Sequence, residues 1–354
     1  MSRHTVALIL GCLALLLFSP AAFAADLPPV TEHDFVLKNF TFHTGETMPE
    51  LKVHYRTMGS PSGIPVLVLH GTGGSGAAMA AERFAGQFFG KGQSLDAEKH
   101  FIIMPDAIGT GKTTKPSDGL RAKFPRYNYD DMVLAQYRLV TEGLKIKHLR
   151  VIVGNSMGGM HCWIWATKYP DFMDAIVPLA SMPSAMSGRN WMMRRMIVDA
   201  VQNDPAWKGG DYTEQPQHFR MVNVWFAIAT NGGTLAYLDK APDSKAGDEL
   251  VKKMLAGQTK MDANDFLYQW DSSRDYNPSP NLDKIKAHVL AVNSADDERC
   301  PVESGIMEKE LKSLRNAEYY LIPGSAETSG HGTTMNARFW SARFAEFISK
   351  VPAK

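Results

Sequence analysis

Hydrophobic residues along this 354-residue chain follow two different rhythms. Near the start, FVLKNFTFHTG and LKVHYRTMG alternate apolar and polar positions, which predicts the two strands of a hairpin. Further on, VLVLHGTGG, HFIIMPDAIGTG, LRVIVGNS and DAIVPLAS each hold an unbroken apolar run that ends in small or turn-forming residues. Between these runs, residues 77–89, 130–144 and 157–169 have helical spacing. Strands that are apolar on both faces and alternate with helices imply a parallel sheet covered on both sides.

The alternation breaks over residues 183–280, where helical pieces rich in Met, Trp and Arg are separated by KGGDY, TNGGT and NPSP. It resumes with AHVLAVNSADD, a helix predicted over 302–314, the strand AEYYLIPG, a loop and a closing helix over 334–348. The reading is one α/β domain, residues 25–182 and 281–354, with a helical lid inserted at 183–280. Met182, Met186, Met192, Met193 and Met196, with Trp191 and Trp207, supply the adaptable apolar surface that a lid over an acyl pocket uses. Arg189, Arg194 and Arg195 are read as parts of solvated faces rather than as a grip for a carboxylate.

Composition narrows the choice. Hydrophobic residues make up 44% and charged residues 21%, as in a folded globular chain. The formal charge is +1, with no basic stripe, so no nucleic-acid partner is expected. Residues 1–24 read as an export signal: Arg3 and His4 form a short polar head, residues 6–18 are apolar, and Ala22-Phe23-Ala24 fits a cleavage site. The run continues past Cys12, which argues against a lipoprotein, and it is too short to span a bilayer comfortably. The mature chain is therefore expected outside the cytoplasm, periplasmic or secreted, without a stable membrane span. Cys162 and Cys300 then remain, too few for a disulfide framework.

IGTGKTT resembles the end of a phosphate-binding loop, but the glycine that such a loop needs falls on Asp106. The stretch Gly154-Asn155-Ser156-Met157-Gly158 is more informative. Gly-x-Ser-x-Gly is weak by itself. Here a buried strand runs into it and a helix runs out of it, which is the setting of a nucleophile elbow. Gly154 and Gly158 permit the tight turn, and the helix N-terminus favours developing negative charge beside Ser156.

A serine nucleophile needs a base, and the base needs an orienting acid, in the chain order Ser, acid, His for this architecture. His161 lies on the helix after the elbow, His218 in the inserted block, and His288 at the start of a strand. His331 sits in the loop SAETSGHGTT, where a base can reach over the sheet edge. Asp296 and Asp297 both follow a buried strand; Asp297 is taken as the acid, and Asp296 as capping the turn or facing solvent. The oxyanion donors are assigned to the backbone N–H groups of Met157 and Thr72, with His70 as a structural residue under the turn.

GNSMGGMHCWIWATKYPDFMDAIVPLAS resembles the elbow region of the homoserine O-acetyltransferase-like branch of the α/β-hydrolases. NDPAWKGGDY, DANDFLYQWDSSRDY and FPRYNYDDMVLAQYRLV are similar to further segments of that branch. The resemblance covers most of the chain from about residue 50, and it implies a helical lid over a triad of Ser156, Asp297 and His331. PDAIGTGKTTKPSDGL and HGTGGSG are closer to the equivalent turns of ordinary hydrolases. Acetyl-CoA is a cytoplasmic metabolite that an exported enzyme would not normally meet. The expected activity is thus hydrolysis of a small or medium acyl ester, with O-acyl transfer of the homoserine O-acetyltransferase type as the alternative. No cofactor or metal is expected. The partner is a small-molecule ester, and a homodimer is compatible with the sequence.

Overall fold

The computed structural model describes residues 27–257 and 262–354. The apolar N-terminal run and its proposed cleavage site lie outside the described residues.

Eight strands form one sheet: β1 (Thr31–Thr41), β2 (Thr47–Met58), β3 (Ile64–Leu69), β4 (His100–Pro105), β5 (Leu149–Asn155), β6 (Met173–Leu179), β7 (His288–Ser294) and β8 (Ala317–Ile322). Their spatial order is β1-β2-β4-β3-β5-β6-β7-β8. The β1–β2 hairpin joins β4 antiparallel, and every pairing from β4 to β8 is parallel. The parallel arrangement follows from the continuous apolar runs, because a strand with both faces apolar must be covered twice. Along β3, Leu67 and Leu69 enter the core on one face, and Val66 and Val68 that on the other. Ile152 of β5 belongs to the first core, and Val151 and Val153 belong to the second.

The helices are α1 (Gly76–Met79), α2 (Glu82–Ala85), α3 (Tyr129–Arg138), α4 (Met157–Lys168), α5 (Gly188–Gln202), α6 (His218–Thr230), α7 (Thr234–Lys240), α8 (Ser244–Ala256), α9 (Ala263–Asp271), α10 (Ile306–Leu311) and α11 (Ser341–Lys350). Met132 of α3 and Trp163 and Trp165 of α4 fill the first face of the sheet. Phe84, Phe88, Trp340 and Phe344 fill the second. Helices α5 to α9 all lie between β6 and β7.

Three predicted helices are shorter or broken. Residues 77–89 form two short helices followed by turns, and the adjacent Phe88 and Phe89 are both buried in the second core. The helix predicted over 302–314 is divided by Gly305, whose φ of +62° is left-handed. The closing helix starts at Ser341 rather than 334: Asn336 and Trp340 leave the helical region, and the Trp340 indole N–H donates to the Thr334 carbonyl at 2.9 Å.

Candidate active site

Ser156 stands between the last residue of β5 and the first residue of α4. Its φ is +56° and its ψ −110°, a conformation that costs an L-residue roughly 1–3 kcal/mol. Its neighbours permit it by being small. A Cβ on Gly154 would sit 2.1 Å from the Gly158 carbonyl oxygen, and one on Gly158 would sit 2.3 Å from that of Leu69. The Ser156 N–H donates to the Leu179 carbonyl at 2.8 Å, so β6 pins the elbow from the other side.

The remaining residues come from the far end of the chain. His331 Nε2 lies 2.8 Å from Ser156 Oγ, across 175 positions of sequence. His331 Nδ1 lies 2.8 and 3.0 Å from the two carboxylate oxygens of Asp297. Both residues are buried. Burial pushes Asp297 up, but the charge and hydrogen bond of His331, with the Arg299 N–H at 2.9 Å and the Arg299 charge, hold it below its ordinary value. Burial pulls His331 down; Asp297 opposes this, and Arg299 and Arg194 add to it. An imidazole held neutral, with one nitrogen tied to a carboxylate and the other facing a hydroxyl, can accept the hydroxyl proton.

Asp296 is turned the opposite way. Its carboxylate accepts from Ser294 Oγ at 2.5 Å, from Thr328 Oγ1 at 2.7 Å and from the Gly330 N–H at 3.2 Å. Asp296 is half-buried, and it ties the end of β7 to the loop that presents His331.

Facing the elbow is the turn after β3. Gly158 N–H donates to the His70 carbonyl at 3.1 Å, and Gly73 N–H donates to Gln269 Oε1 at 2.8 Å. These two amides are occupied. Thr72 Oγ1 is also buried, without a hydrogen-bond partner among the described residues. His70 braces the turn: Nδ1 meets the Gly71 carbonyl at 2.8 Å and Nε2 accepts the Ala107 N–H at 3.0 Å. Gln269 had no sequence signal, since it acts from α9, 196 positions away from Gly73.

Beside His331 opens a recess of about 200 Å³, lined in part by Met160, Met182, Met186, Arg194 and Arg299. The expectation of three solvated arginines fails at Arg194, which is fully buried with its guanidinium 5.0 Å from the Trp270 ring centroid. One turn of helix decides this, because α5 presents Arg194 and Met193 inward, while Met192 and Met196 are exposed. Cys162 and Cys300 are both buried and free. Asp106, where a phosphate loop would need glycine, anchors its own turn by accepting from Arg56 Nη1 at 2.9 Å and the Gly76 N–H at 2.7 Å.

The alpha/beta hydrolase fold family matches residues 64–219. Homoserine O-acetyltransferase of Haemophilus influenzae (strain ATCC 51907) is 30% identical over 295 residues, covering 73% of this chain and 80% of that protein. The chain belongs to the α/β-hydrolase superfamily, in its homoserine O-acetyltransferase-like branch. Homoserine O-acetyltransferase of Methanohalophilus mahii is 28% identical over 307 residues; the match takes in 75% of this chain and only 62% of that relative's length. The solved structure of the acetyl esterase MekB superimposes with a TM-score of 0.79 at 22% identity, covering 90% of this chain and 97% of the esterase.

Proposed function

We propose that the protein transfers an acyl group through a covalent acyl-enzyme on Ser156. The observation that carries this reading is the hydrogen-bonded series from Ser156 Oγ through His331 to Asp297. In the first step Ser156 Oγ bonds to the ester carbonyl carbon and its proton passes to His331 Nε2. The carbonyl oxygen becomes an oxyanion, received by the N–H groups of Met157 and Thr72 at the N-terminal end of α4. The bond to the leaving alcohol breaks as His331 returns the proton to it. In the second step an acceptor O–H gives its proton to His331, its oxygen attacks the acyl carbon, and Ser156 Oγ leaves and regains the proton. Helices α5 to α9 act as a lid over this chemistry.

The identity of the acceptor separates two readings. The relatives from Haemophilus influenzae and Methanohalophilus mahii are homoserine O-acetyltransferases, which favours an alcohol acceptor over the water expected from the sequence. Transfer to an alcohol is accordingly the first reading. Hydrolysis is the second, and its support is the likeness to an acetyl esterase together with the export-type N-terminus. The purified protein and its Ser156→Ala variant, given 4-nitrophenyl acetate with and without L-homoserine, decide between them by mass spectrometry. Serine-dependent O-acetylhomoserine supports transfer, and free acetate in both cases supports hydrolysis. Equal turnover by the Ser156→Ala variant would remove the acyl-enzyme altogether.

A further inference from the structure

One end of helix α6 reaches the residues around His331. Thr230, the last residue of α6, is completely buried, and Asn231 follows it. The Thr230 hydroxyl donates its one proton to the Phe226 carbonyl at 2.6 Å, one turn back in the same helix. Its lone pairs are left to accept, and Arg299 Nε and Nη2 donate to them at 3.0 and 2.8 Å. Arg299 Nη2 also donates to Asn231 Oδ1 at 2.8 Å, and the guanidinium lies 4.1 Å from the Phe226 ring centroid. Phe226, Thr230 and Asn231 thus form one seat for the guanidinium. A cation is favoured there because the C-terminal end of a helix carries the negative end of its dipole.

Arg299 belongs to the loop after β7, and its backbone faces the other way. Its N–H donates to Asp297 Oδ1 at 2.9 Å, and that oxygen lies 3.0 Å from His331 Nδ1. The side chain therefore grips α6 while the main chain holds the carboxylate that faces His331. The loop that carries His331 meets the same helix end: a Cβ on Gly330 would lie 2.9 Å from the Thr230 carbonyl oxygen. A lid that only covered the site would make no polar grip on these loops.

We propose that Thr230 is a positioning residue for Asp297 and His331, acting through Arg299. The proposal rests on the acyl-enzyme reading of Ser156 and deepens it: the series of contacts that starts at Ser156 continues past Asp297 into α6. Without the hydroxyl, a buried guanidinium loses the acceptor of two of its N–H groups. It must shift to find others, and the Arg299 N–H shifts with it. Asp297 then orients the imidazole less firmly. Misplacing a reacting group by about 1 Å can cost about 10²-fold in rate, so a smaller shift should cost about tenfold.

Two substitutions at Thr230 test this with the purified protein. Thr230→Val keeps the shape of the side chain and removes the hydroxyl; Thr230→Ser keeps the hydroxyl. On 4-nitrophenyl acetate, Thr230→Val should lower kcat about tenfold with KM changed less than about twofold, and Thr230→Ser should return kcat to within about threefold of the unmodified protein. Asn231→Ala removes the second acceptor at an exposed position and should lower kcat about threefold. A further measurement does not need turnover. With isotope-labelled histidine, the low-field proton signal of His331 Nδ1–H, identified by its loss in His331→Ala, reports the contact with Asp297. It should move or broaden in Thr230→Val and keep its place in Thr230→Ser. An unmoved signal in Thr230→Val overturns the proposal, as does a kcat that Thr230→Val leaves at the unmodified level, or a Thr230→Ser protein as impaired as Thr230→Val. Equal turnover by Ser156→Ala rejects the acyl-enzyme instead, and the His331 signal then judges the role of Thr230 alone.

Discussion

Gln269 Oε1 accepts the backbone N–H of Gly73 at 2.8 Å, while its Nε2 donates to the Gly109 carbonyl at 2.6 Å. One carboxamide in α9 thus joins the turn after β3 to the turn after β4, and it does so next to the amide of Thr72. Gln269→Ala frees that turn, and an oxyanion donor that must be ordered during the reaction loses part of its effect. Steady-state kinetics on 4-nitrophenyl acetate should show kcat lowered about tenfold with KM little changed, and fluorophosphonate labelling of Ser156 should slow in parallel.

The two adjacent acids after β7 should separate in the same assay. Asp297→Asn leaves His331 without its carboxylate and favours the wrong tautomer, so kcat should fall by about 10³–10⁴. Asp296→Asn keeps the contact between His331 and Asp297 and only weakens the clamp on Thr328 and Gly330. A loss of about tenfold is expected there. The reverse order of severity would assign the orienting role to Asp296.

The pH profile follows from the sign of the shift on His331. Burial lowers its pKa from 6.5, against the pull of Asp297, so the imidazole stays unprotonated as pH falls through 6.5. The acid limb of kcat/KM should therefore lie below 6.5 rather than at it. The Arg194 charge contributes to that lowering. In an Arg194→Met protein the limb should move to higher pH, which a stopped-time assay across the acid range will read.

Elbow packing can be tested through stability. A Cβ on Gly158 would come within 2.3 Å of the Leu69 carbonyl oxygen and 2.8 Å of Leu69 Cβ, so Gly158→Ala must displace β3 or α4. A loss of about 1–3 kcal/mol is expected in a denaturant or thermal melt. Gly247, in α8, has open space around its would-be Cβ, and Gly247→Ala should stabilise by up to about 1 kcal/mol.

Local order was legible in the chain itself. The period-two and unbroken apolar runs specify strands through burial on one face or two, and the spacing of Gly154, Ser156 and Gly158 specifies a tight turn through steric room. Those are effects between near neighbours, so sequence carries them directly. Helix ends were less legible: 77–89 divides into two short helices, and 334–348 is helical only from Ser341, where the Trp340 indole turns back to the Thr334 carbonyl. The distance between Ser156 and His331, whose pairing the sequence did suggest, and the meetings of Gln269 with Gly73 and of Arg194 with the recess belong to the tertiary structure. Each joins residues separated by many turns of chain, and only the crossing of β5 to β8 and the placing of α5 and α9 over their ends brings such groups within hydrogen-bond reach. The sequence could single out Ser156, His331 and, over Asp296, Asp297 from chain order and loop context; the fold set the distances between them and decided which of three arginines leaves the solvent.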